Sequence, residues 1–232
     1  MIGYISKLET MSTVDGPGIR VTVFMQGCQL RCKFCHNPET WIEGKGKTYT
    51  PEELCETILK YKNYIKDGGV TFSGGEPLMQ QEFLLEILKL CKKNHIHTCI
   101  DTAGMPIQNE EILAYIDLIL LDIKALNDEA YLNMTGENME SFWKFLNLCE
   151  KRQKDVWIRQ VIIPDINDTE EYILKLKKIL KPYQCIKKIE LLPYHTMGIH
   201  KYKELNIPYR LKNQAMDKKK CKELEQIKAS QN

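Results

Sequence analysis

The chain has 232 residues, of which 43% are hydrophobic and 28% are charged, the composition of an ordinary globular protein. Its 33 basic and 31 acidic side chains leave a net charge of +2, so no global field favours nucleic acid or a membrane surface. No apolar run reaches the length of a transmembrane helix, and the start of the chain has no signal-peptide apolar region. These features predict a cytoplasmic protein with one sizeable core.

The first predicted element is a strand from Ile19 to Met25, which is rich in β-branched side chains. The segment 43–47, rich in glycine and lysine, is predicted to be a flexible connector. A helix then starts at Thr50, because Thr50 and Glu53 match a capping box and a proline occupies the first helical position. Leucines and isoleucines give this helix an apolar face.

The rest of the chain alternates predicted strands with predicted helices. The strands are a short one within 68–77 that runs into a glycine turn, then 96–100, 118–124, 156–163 and 188–192; the helices are 83–91, 107–115, 142–149 and one capped by Asp168 with Glu171 that runs through 180. Apolar strands alternating with helices indicate a parallel sheet covered on both sides. We therefore predict an α/β fold of six strand–helix units in a single domain over 1–232, with a core at about 16–200 and a solvated helical tail at about 203–232.

Six of the nine cysteines are scattered singly through the chain. An odd count without a spacing pattern is not a disulfide framework and indicates a reducing compartment. Cys91 and Cys149 fall on apolar helical faces, where a small buried thiol is the ordinary expectation. We therefore predict that the scattered cysteines fill the core and bind nothing. They are Cys55, Cys91, Cys99, Cys149, Cys185 and Cys221.

The other three cysteines, Cys28, Cys32 and Cys35, follow the first strand at the spacing C-x3-C-x2-C. A structural zinc site needs four ligands, and His36 is adjacent to Cys35, a poor position for the fourth. A 4Fe–4S cluster also normally takes four thiolates, but the next cysteine, Cys55, is twenty residues on. The economical interpretation is a 4Fe–4S cluster with three protein ligands and one open iron.

Polar groups follow the other predicted strands, and ligands of parallel α/β folds bind at the carboxyl ends of strands. Gly74 and Gly75 would let the backbone approach a ligand closely, although a plain strand-to-helix turn accounts for them equally well. Asp122 and Lys124 share one face of their strand, so they address one ligand together or form a structural salt bridge. Arg159, among apolar β-branched residues, is costly to bury unless it meets an anion or a peptide carbonyl.

The cysteine loop resembles the cluster motif of the radical S-adenosylmethionine (SAM) enzymes. The flanking segments 14–20 (VDGPGIR) and 35–38 (CHNP), with Trp41, are similar to those of the glycyl-radical-enzyme activases. The later segment 190–195 (ELLPYH) is similar to the activases of pyruvate formate-lyase in particular, and the resemblance extends over nearly the whole chain. It implies a partial (β/α)6 TIM-like barrel and an open iron that binds the amino and carboxylate groups of SAM.

The resemblance also implies roles for individual side chains. Cys28, Cys32 and Cys35 would bind the cluster and, with Lys124, carry the catalysis. The SAM contacts would be Phe34, Cys35, His36, Gly74, Gly75, Glu76, Asp122, Ile123, Lys124 and His195, and a monovalent cation (Na+ or K+) would lie on Asp101, Thr102, the backbone of Leu120 and Asp122. Asp15 and Arg159 would meet the protein substrate, whereas His95 and His97 are expected to be structural.

The reaction that the resemblance implies begins with one electron from a reduced flavodoxin or ferredoxin. Reductive cleavage of SAM gives methionine and a 5′-deoxyadenosyl radical, which abstracts a Cα hydrogen from a glycine of pyruvate formate-lyase and leaves a glycyl radical there. The glycine loop has to enter the barrel mouth, so the partner has to open locally. The implied protein is a monomer that acts without nucleic acid or membrane.

Two other interpretations stay open at this stage. The first is an activase of a different glycyl radical enzyme. Many such relatives carry added Cys-x-x-Cys runs, but the interval from Trp41 to Ser73 holds only Cys55, which argues against a second cluster. The second is a metal-binding or electron-carrier module without catalysis, which would need no SAM pocket. The polar groups at the strand ends argue against it.

Overall fold

The computed structural model describes residues 1–227, which form one eight-stranded sheet in the order β3-β1-β2-β4-β5-β6-β7-β8. The strands are β1 (Gly3–Ser12), β2 (Arg20–Met25), β3 (Lys47–Tyr49), β4 (Gly69–Gly74), β5 (Thr98–Thr102), β6 (Leu118–Asp122), β7 (Val156–Ile162) and β8 (Ile186–Pro193). The run from β2 through β4 to β8 is parallel throughout, which confirms the six predicted strands. The sheet is open, because β3 and β8 occupy its two edges.

The helices are α1 (Pro51–Leu59), α2 (Gln81–Lys93), α3 (Asp128–Thr135), α4 (Glu140–Lys151), α5 (Glu170–Leu180), α6 (Ile199–Glu204) and α7 (Lys218–Gln226). The capping box at Thr50 and Glu53 is confirmed. The helix predicted over 107–115 is instead a 3-10 segment, Glu110–Tyr115, with Asn109 as its N-cap. No helix among residues 1–227 is long and apolar enough to cross a bilayer.

The N-cap predicted at Asp168 is wrong by one residue. The side chain of Thr169 accepts from the backbone N–H of Tyr172 and caps α5. The Asp168 carboxylate instead accepts from the backbone N–H of Asp165 at 2.9 Å and pairs with Lys220. Asp and Thr are both favoured at an N-cap. The turn at 165–168 uses the Asp168 carboxylate, so Thr169 caps the helix.

The two faces of the sheet differ in chemistry because side chains alternate along each strand. Val23, Phe72 and Ile100 belong to the main hydrophobic core, which packs against the helices. The alternate positions face the other side, where Cys99, Leu118 and Leu120 form a small separate cluster under Trp157. Asp101, Asp122 and Arg159 lie two residues further along their strands, so the same face becomes polar toward the carboxyl ends.

The antiparallel edge, made of β1 and β3, was not predicted. Gly3 to Ile5 of β1 pair with Lys47 to Tyr49 of β3, so the end of the segment predicted to be a flexible connector is a strand. The second half of β1 is half-buried or exposed and carries polar side chains. An edge strand of this kind lacks the continuous apolar run that identifies a buried strand.

A single arginine joins the amino ends of β2 and β4. Arg20 is fully buried, and its guanidinium donates to Thr71 Oγ1 at 2.6 Å and to the carbonyl oxygens of Gly68 at 2.8 Å and Val70 at 2.7 Å. Its Nη2 also lies 3.2 Å from Nδ1 of His97, in keeping with a structural role for that histidine. These bonds fix the loop that carries Asp15.

The tail expected to be solvated is packed against the sheet over 218–226. Cys221 and Leu224 of α7 are buried beside β8, and the backbone N–H of Leu191 donates to Oε1 of Glu225 at 3.1 Å. Lys177 of α5 donates to the carbonyl oxygens of Glu225 and Ile227 at 2.9 and 2.5 Å. The lysines at 218–220 belong to an amphipathic helix with one apolar face, which the sequence analysis did not recognise. The predicted tail also includes residues 228–232, which lie outside the described residues.

Candidate active site

A cavity of about 290 Å³ lies at the carboxyl ends of the parallel strands. Its walls bring together residues from positions 15 to 192 of the chain. The predicted site residues that line it are Asp15, Cys28, Cys32, Phe34, Cys35, His36, Gly74, Gly75, Glu76, Asp101, Thr102, Asp122, Lys124 and Arg159. Leu120, Ile123 and His195 do not line it; Leu120 and Ile123 are buried. A larger cavity of about 680 Å³ beside the amino-terminal strand contains none of these residues.

The cysteine loop begins where β2 meets the glycine turn after β4. The backbone N–H groups of Gly75 and Glu76 donate to the carbonyl oxygens of Met25 and Gly27, each at 2.8 Å. A Cβ on Gly75 would lie 2.1 Å from the Gly27 oxygen, and Gly74 has φ +100°, so both positions require glycine. The close approach that these glycines permit is to the protein backbone at residues 24–27.

The middle of the cysteine loop is held by a helix that the sequence analysis missed. The backbone N–H groups of Arg31 and Lys33 donate to the carbonyl oxygens of Thr135 and Met134 at 2.7 and 2.9 Å. These carbonyls belong to the last turn of α3, where no further helical N–H groups follow to bond them. The helix ends at Gly136, which has the left-handed conformation. Asn127 at the N-cap and Gly136 after the last turn are the signals that predict this helix.

The three thiols line one cavity without sharing a single-ion site. Among residues 1–227, no three His, Cys, Asp or Glu side chains are close enough to hold one metal ion together. A 4Fe–4S cluster places each thiolate on its own iron atom, so three cluster ligands do not have to meet at one ion. Burial raises the pKa of Cys32 to about 12 and raises the pKa of both Cys28 and Cys35. Iron binding would supply the positive charge that keeps them deprotonated.

Lys124 and Arg159 are the two strongly basic side chains of the cavity wall, and Lys124 lies nearer the cysteine loop. Its Nζ lies 2.6 Å from Oδ2 of Asp122 and 5.5 Å from the centre of the Phe34 ring. Burial alone would lower the pKa of Lys124, but the negative charge of Asp122 raises it, so the side chain keeps its proton. Lys124 lies just after β6, which ends at Asp122, yet the two side chains meet as the strand periodicity predicted.

Glu76 is almost fully buried at the turn after β4. Its carboxylate accepts from Thr102 Oγ1 at 2.6 Å and from the backbone N–H groups of Ala103 and Leu78 at 2.9 and 3.1 Å. Burial raises the pKa of Glu76 to about 7, against these three hydrogen bonds, which favour the ionised form. The carboxylate therefore joins the ends of β4 and β5 at the cavity.

Two carboxylates and one guanidinium meet on the inner face of the sheet. Arg159 Nη1 lies 3.4 Å from Oδ2 of Asp101, and its Nε lies 3.8 Å from Oε2 of Glu190. Asp101 also accepts from Ser73 Oγ at 2.7 Å. Four buried atoms of this group and of neighbouring Asp122 have no hydrogen-bond partner among the described residues: Oδ1 of Asp101, Oδ1 of Asp122, and Nε and Nη1 of Arg159. Buried polar atoms without partners are rare, so these atoms are free to bind a ligand.

Asp15 reaches the same cavity from the loop before β2. Its carboxylate accepts from Ser12 Oγ at 2.6 Å and from Thr22 Oγ1 at 2.9 Å, and its carbonyl oxygen accepts from Thr71 Oγ1 at 2.6 Å. Burial would lower the pKa of Arg159, but carboxylates near it raise that pKa. Asp101 and Asp122 have the largest effects, and Asp15 has a smaller one. Asp15 and Arg159 therefore line the same cavity.

His195 lies outside the cavity but contacts its wall. The rings of His36 and His195 are stacked with their centres 3.7 Å apart and their planes at 9°. Nε2 of His36 donates to the carbonyl oxygen of His195 at 2.7 Å. Burial lowers the pKa of His36 to about 4, so the stacked ring is neutral at ordinary pH. Gly198 also packs against His36: a Cβ added to Gly198 would lie 3.0 Å from the His36 backbone. This contact closes this side of the loop.

The comparison with known proteins agrees with this geometry. The sequence model of the Radical SAM superfamily matches residues 22–176. This chain belongs to the radical SAM superfamily. It is 52% identical to the pyruvate formate-lyase-activating enzyme of Clostridium pasteurianum over 229 residues, which are 97% of this chain and 96% of that protein. It is 42% identical to the enzyme of that name from Staphylococcus epidermidis over 222 residues, 91% of this chain and 88% of that protein. The resemblance seen in the sequence is confirmed.

Solved structures share the radical SAM fold. A domain of a pyruvate-formate lyase-activating enzyme from Bacteroides vulgatus superposes with a TM-score of 0.54 at 26% identity, covering 68% of this chain and 90% of that one. SuiB from Streptococcus suis, solved with bound SAM, superposes with a TM-score of 0.61 at 21% identity, covering 73% of this chain and 39% of that one. The predicted partial barrel is confirmed as an open radical SAM fold, and the superfamily implies a 4Fe–4S cluster and SAM as cofactors.

The sequence analysis also missed the residues behind the cysteine loop. Tyr202 OH donates to the carbonyl oxygen of Cys35 at 3.0 Å. Lys201 donates to Asn37 Oδ1 at 3.0 Å and to Glu39 Oε1 at 2.5 Å. Both residues belong to α6, which starts where the core was predicted to end. The only local signal was the pairing of an aromatic with a basic residue in a short apolar segment, which is too common to indicate a site.

Proposed function

We propose that this protein activates pyruvate formate-lyase by generating a glycyl radical on it. The observation that carries the proposal is the convergence of Cys28, Cys32 and Cys35 on the cavity that also holds Lys124 and Arg159. The relatives with 52% and 42% identity, which carry the name of this activity, support the choice of target. A cluster and SAM bound there supply low-potential reduction and the deoxyadenosyl group that abstracts hydrogen.

The cavity wall suits the charged ends of SAM. The Lys124 ammonium can donate to a carboxylate while it keeps its bond to Asp122, because it has three donors. Phe34, buried at the edge of the loop, offers a ring face to the adenine. Asp101 and Asp122 each present one unpartnered oxygen, which supports a monovalent cation between them and the ligand carboxylate. His36 and His195 close the loop side of the pocket as a neutral stack.

The protein substrate would meet Asp15 and Arg159. Two nitrogens of Arg159 lack a hydrogen-bond partner among the described residues, although the group lies between carboxylates. Peptide carbonyl oxygens of an incoming glycine loop can accept from them, and the Asp15 carboxylate can accept from a peptide N–H. These contacts select a main chain and demand no particular side chain. A glycine loop without a Cβ would then reach the base of the cavity.

We further propose that the protein is a monomer and that it works in a reducing compartment, the cytoplasm. All nine cysteines are free thiols. Seven of them are buried, and Cys28 and Cys35 are half-buried at the cavity, where an oxidant would reach them first. The proposed electron donor is a reduced flavodoxin or ferredoxin, whose single electron the reaction requires.

The experiment is anaerobic reconstitution followed by three measurements. Iron and sulfide counting should give about four of each per chain. Dithionite with SAM should yield methionine and 5′-deoxyadenosine, and pyruvate formate-lyase should acquire a glycyl radical signal in electron paramagnetic resonance. A cluster that cleaves SAM but puts the radical only on another glycyl radical enzyme would overturn the choice of target. A cluster that cleaves no SAM would reduce the protein to an electron carrier.

A further inference from the structure

An ion pair lies behind the cysteine loop, outside the cavity. Lys201 Nζ donates to Oε1 of Glu39 at 2.5 Å and to Oδ1 of Asn37 at 3.0 Å. The side chains of Lys201 and Glu39 are 24% and 30% exposed, and neither residue lines the cavity that holds the three thiols. Asn37 does line that cavity. The pair therefore contacts the loop from outside, at a residue that also reaches the cavity.

Asn37 connects this ion pair to the sulfur of Cys35. Its backbone N–H donates to Cys35 Sγ at 3.4 Å. Its side-chain oxygen accepts from Lys201, and its carbonyl oxygen accepts from Thr40 Oγ1 at 2.7 Å and from the Thr40 N–H at 2.9 Å. Thr40 is buried, so this turn is shielded from water. Contacts on two sides of Asn37 therefore fix the direction of the N–H that meets the sulfur.

The carboxylate of Glu39 depends on Lys201 for its pairing. Oε1 accepts from Lys201, whereas Oε2 is buried and has no hydrogen-bond partner among residues 1–227. Removing one partner of a partly buried ion pair leaves the other charge uncompensated, and that charge then acts unopposed on its surroundings. Burial raises the pKa of the Cys35 thiol, and the negative charge of Glu39 raises it further. The Glu39 charge therefore reaches the sulfur, and the Lys201 ammonium offsets it.

Net charge and hydrogen bonds at the cysteine sulfurs set the reduction potential of an iron–sulfur cluster. Reduction adds one negative charge, so a carboxylate nearby opposes it, whereas an N–H group bonded to sulfur favours it. Lys201 acts on both of these groups, because the same ammonium bonds the Glu39 carboxylate and the Asn37 side chain. It therefore makes the loop more favourable for the added electron in two ways.

We propose that Lys201 is a positioning residue that raises the reduction potential of the cluster, since it offsets the charge of Glu39 and holds the Asn37 N–H on the Cys35 sulfur. The inference rests on the proposed function, because it requires a cluster on the loop cysteines. In the reduction, the cluster gains one electron that an external reductant loses, and no bond or proton is exchanged. Lys201 touches neither SAM nor the substrate glycine, because it lies outside the cavity.

Two single substitutions separate this charge effect from a simple clamp on the loop. Lys201→Met removes the ammonium and leaves the Glu39 carboxylate unpaired, so the cluster should become harder to reduce. Glu39→Gln removes the negative charge and keeps Lys201 bonded to Asn37, so the cluster should become easier to reduce. The double variant should lie between the two. A residue that only holds the loop in place predicts instead that both single variants shift the potential in the same direction.

The measurement is a mediated redox titration of the reconstituted proteins with dithionite at constant pH and salt. Electron paramagnetic resonance of the reduced cluster gives the midpoint potential. Iron and sulfide counting confirms that each variant carries a full cluster, and urea unfolding of the metal-free proteins measures any loss of fold stability. Lys92→Met is the matched control, because it breaks an ion pair with Asp117 whose side chains are 32% and 31% exposed and lie outside the cavity.

Lys201→Met is expected to lower the equilibrium constant for one-electron reduction at least about threefold, and Glu39→Gln to raise it by a similar factor, with Lys92→Met unchanged. Equal potentials in the wild type and both single variants would overturn the inference. So would shifts of the same sign in both, or an equal shift in the control. If Lys201→Met carries no cluster, Glu39→Gln decides alone: a raised potential supports the inference, and an unchanged or lowered one overturns it.

These outcomes are separable from those that test the proposed function. A wild type whose cluster cleaves no SAM would overturn the proposed function, yet opposite shifts in the two single variants would still support the role of Lys201. A wild type that activates pyruvate formate-lyase, with variants that show no shift, would overturn the role of Lys201 alone.

Discussion

The Nζ of Lys124 lies 2.6 Å from Oδ2 of Asp122, and the two side chains are 11% and 23% exposed at the cavity wall. The other oxygen of Asp122 has no partner among residues 1–227, so the pair is not a closed structural salt bridge. A buried charged group left partly unpaired is costly, and a bound ligand offsets that cost. This relationship makes Lys124 the first residue to test.

Lys124→Ala should weaken SAM binding and leave the cluster in place. A hydrogen bond to a charged group contributes about 1.5–3 kcal/mol, so the affinity should fall roughly ten- to hundredfold. The measurement is calorimetric titration of SAM into the cluster-loaded protein. Lys92→Ala is the control, because Lys92 also pairs with an aspartate, Asp117, but lies outside the cavity. An unchanged SAM affinity would assign the Lys124 pair to the fold alone.

The three loop cysteines should be the only protein ligands of the cluster. Replacing Cys28, Cys32 or Cys35 by Ala should abolish iron and sulfide binding, because each removes the ligand of one iron. Cys55→Ala and Cys91→Ala should keep the full complement, since both thiols are buried between helices away from the cavity. Iron and sulfide counting after anaerobic reconstitution decides the matter. A fourth cysteine needed for assembly would contradict the open iron.

Arg159→Lys should separate SAM cleavage from activation of the partner. The substitution keeps the charge beside Asp101 and removes the planar fork that can bind peptide carbonyls. We expect SAM cleavage by dithionite in the absence of partner to remain largely intact, while the glycyl radical signal on pyruvate formate-lyase falls well beyond it. Arg152→Lys, at an exposed pair with Glu110, is the matched control. Equal loss of both activities would place Arg159 in the SAM site or the fold.

Glu76 should make stability depend on pH near neutrality. Its pKa is raised by burial from 4.5 to about 7, so between these values the folded state keeps a proton that the unfolded state has lost. Stability should therefore decrease as pH rises through this window, by up to about 3 kcal/mol. Glu76→Gln cannot ionise, and the difference between the urea-unfolding profiles of wild type and variant isolates the effect. A difference that stays constant with pH would show that the three hydrogen bonds keep Glu76 ionised.

The carboxyl-terminal helix should contribute to stability. Leu224 of α7 is 7% exposed, so Leu224→Ala removes buried apolar surface and should lower the free energy of unfolding by about 2 kcal/mol. Lys222→Ala, at an exposed position of the same helix, should change it by less than about 0.5 kcal/mol. Denaturant unfolding followed by circular dichroism measures both. Equal, negligible effects would return the tail to the solvated helix that its lysines suggested.

Local chemistry in the sequence was enough to predict the parallel strands, and the family resemblance named most of the side chains that line the cavity. The apolar run at 118–122 can be buried on both faces only in a covered parallel sheet, and the carboxyl ends of the strands in such a sheet meet at one edge. The spacing of Cys28, Cys32 and Cys35 is itself the signature of the cluster loop. The pairing of Asp122 with Lys124 agrees with the two-residue period that was predicted, although the strand itself ends at Asp122.

Only the tertiary structure decided which elements support that site. Edge strand β1 and helix α3 have mixed polar sequences, because each buries a narrow face and satisfies its remaining groups with water or with the cysteine loop. The contacts of Tyr202 with Cys35 and of Thr135 with Arg31 join residues more than a hundred positions apart. Such contacts depend on where the folded chain brings two backbones together, and no local period or spacing encodes that. The sequence by itself determined the chemistry of the cavity, and chain packing decided what holds the cysteine loop in place.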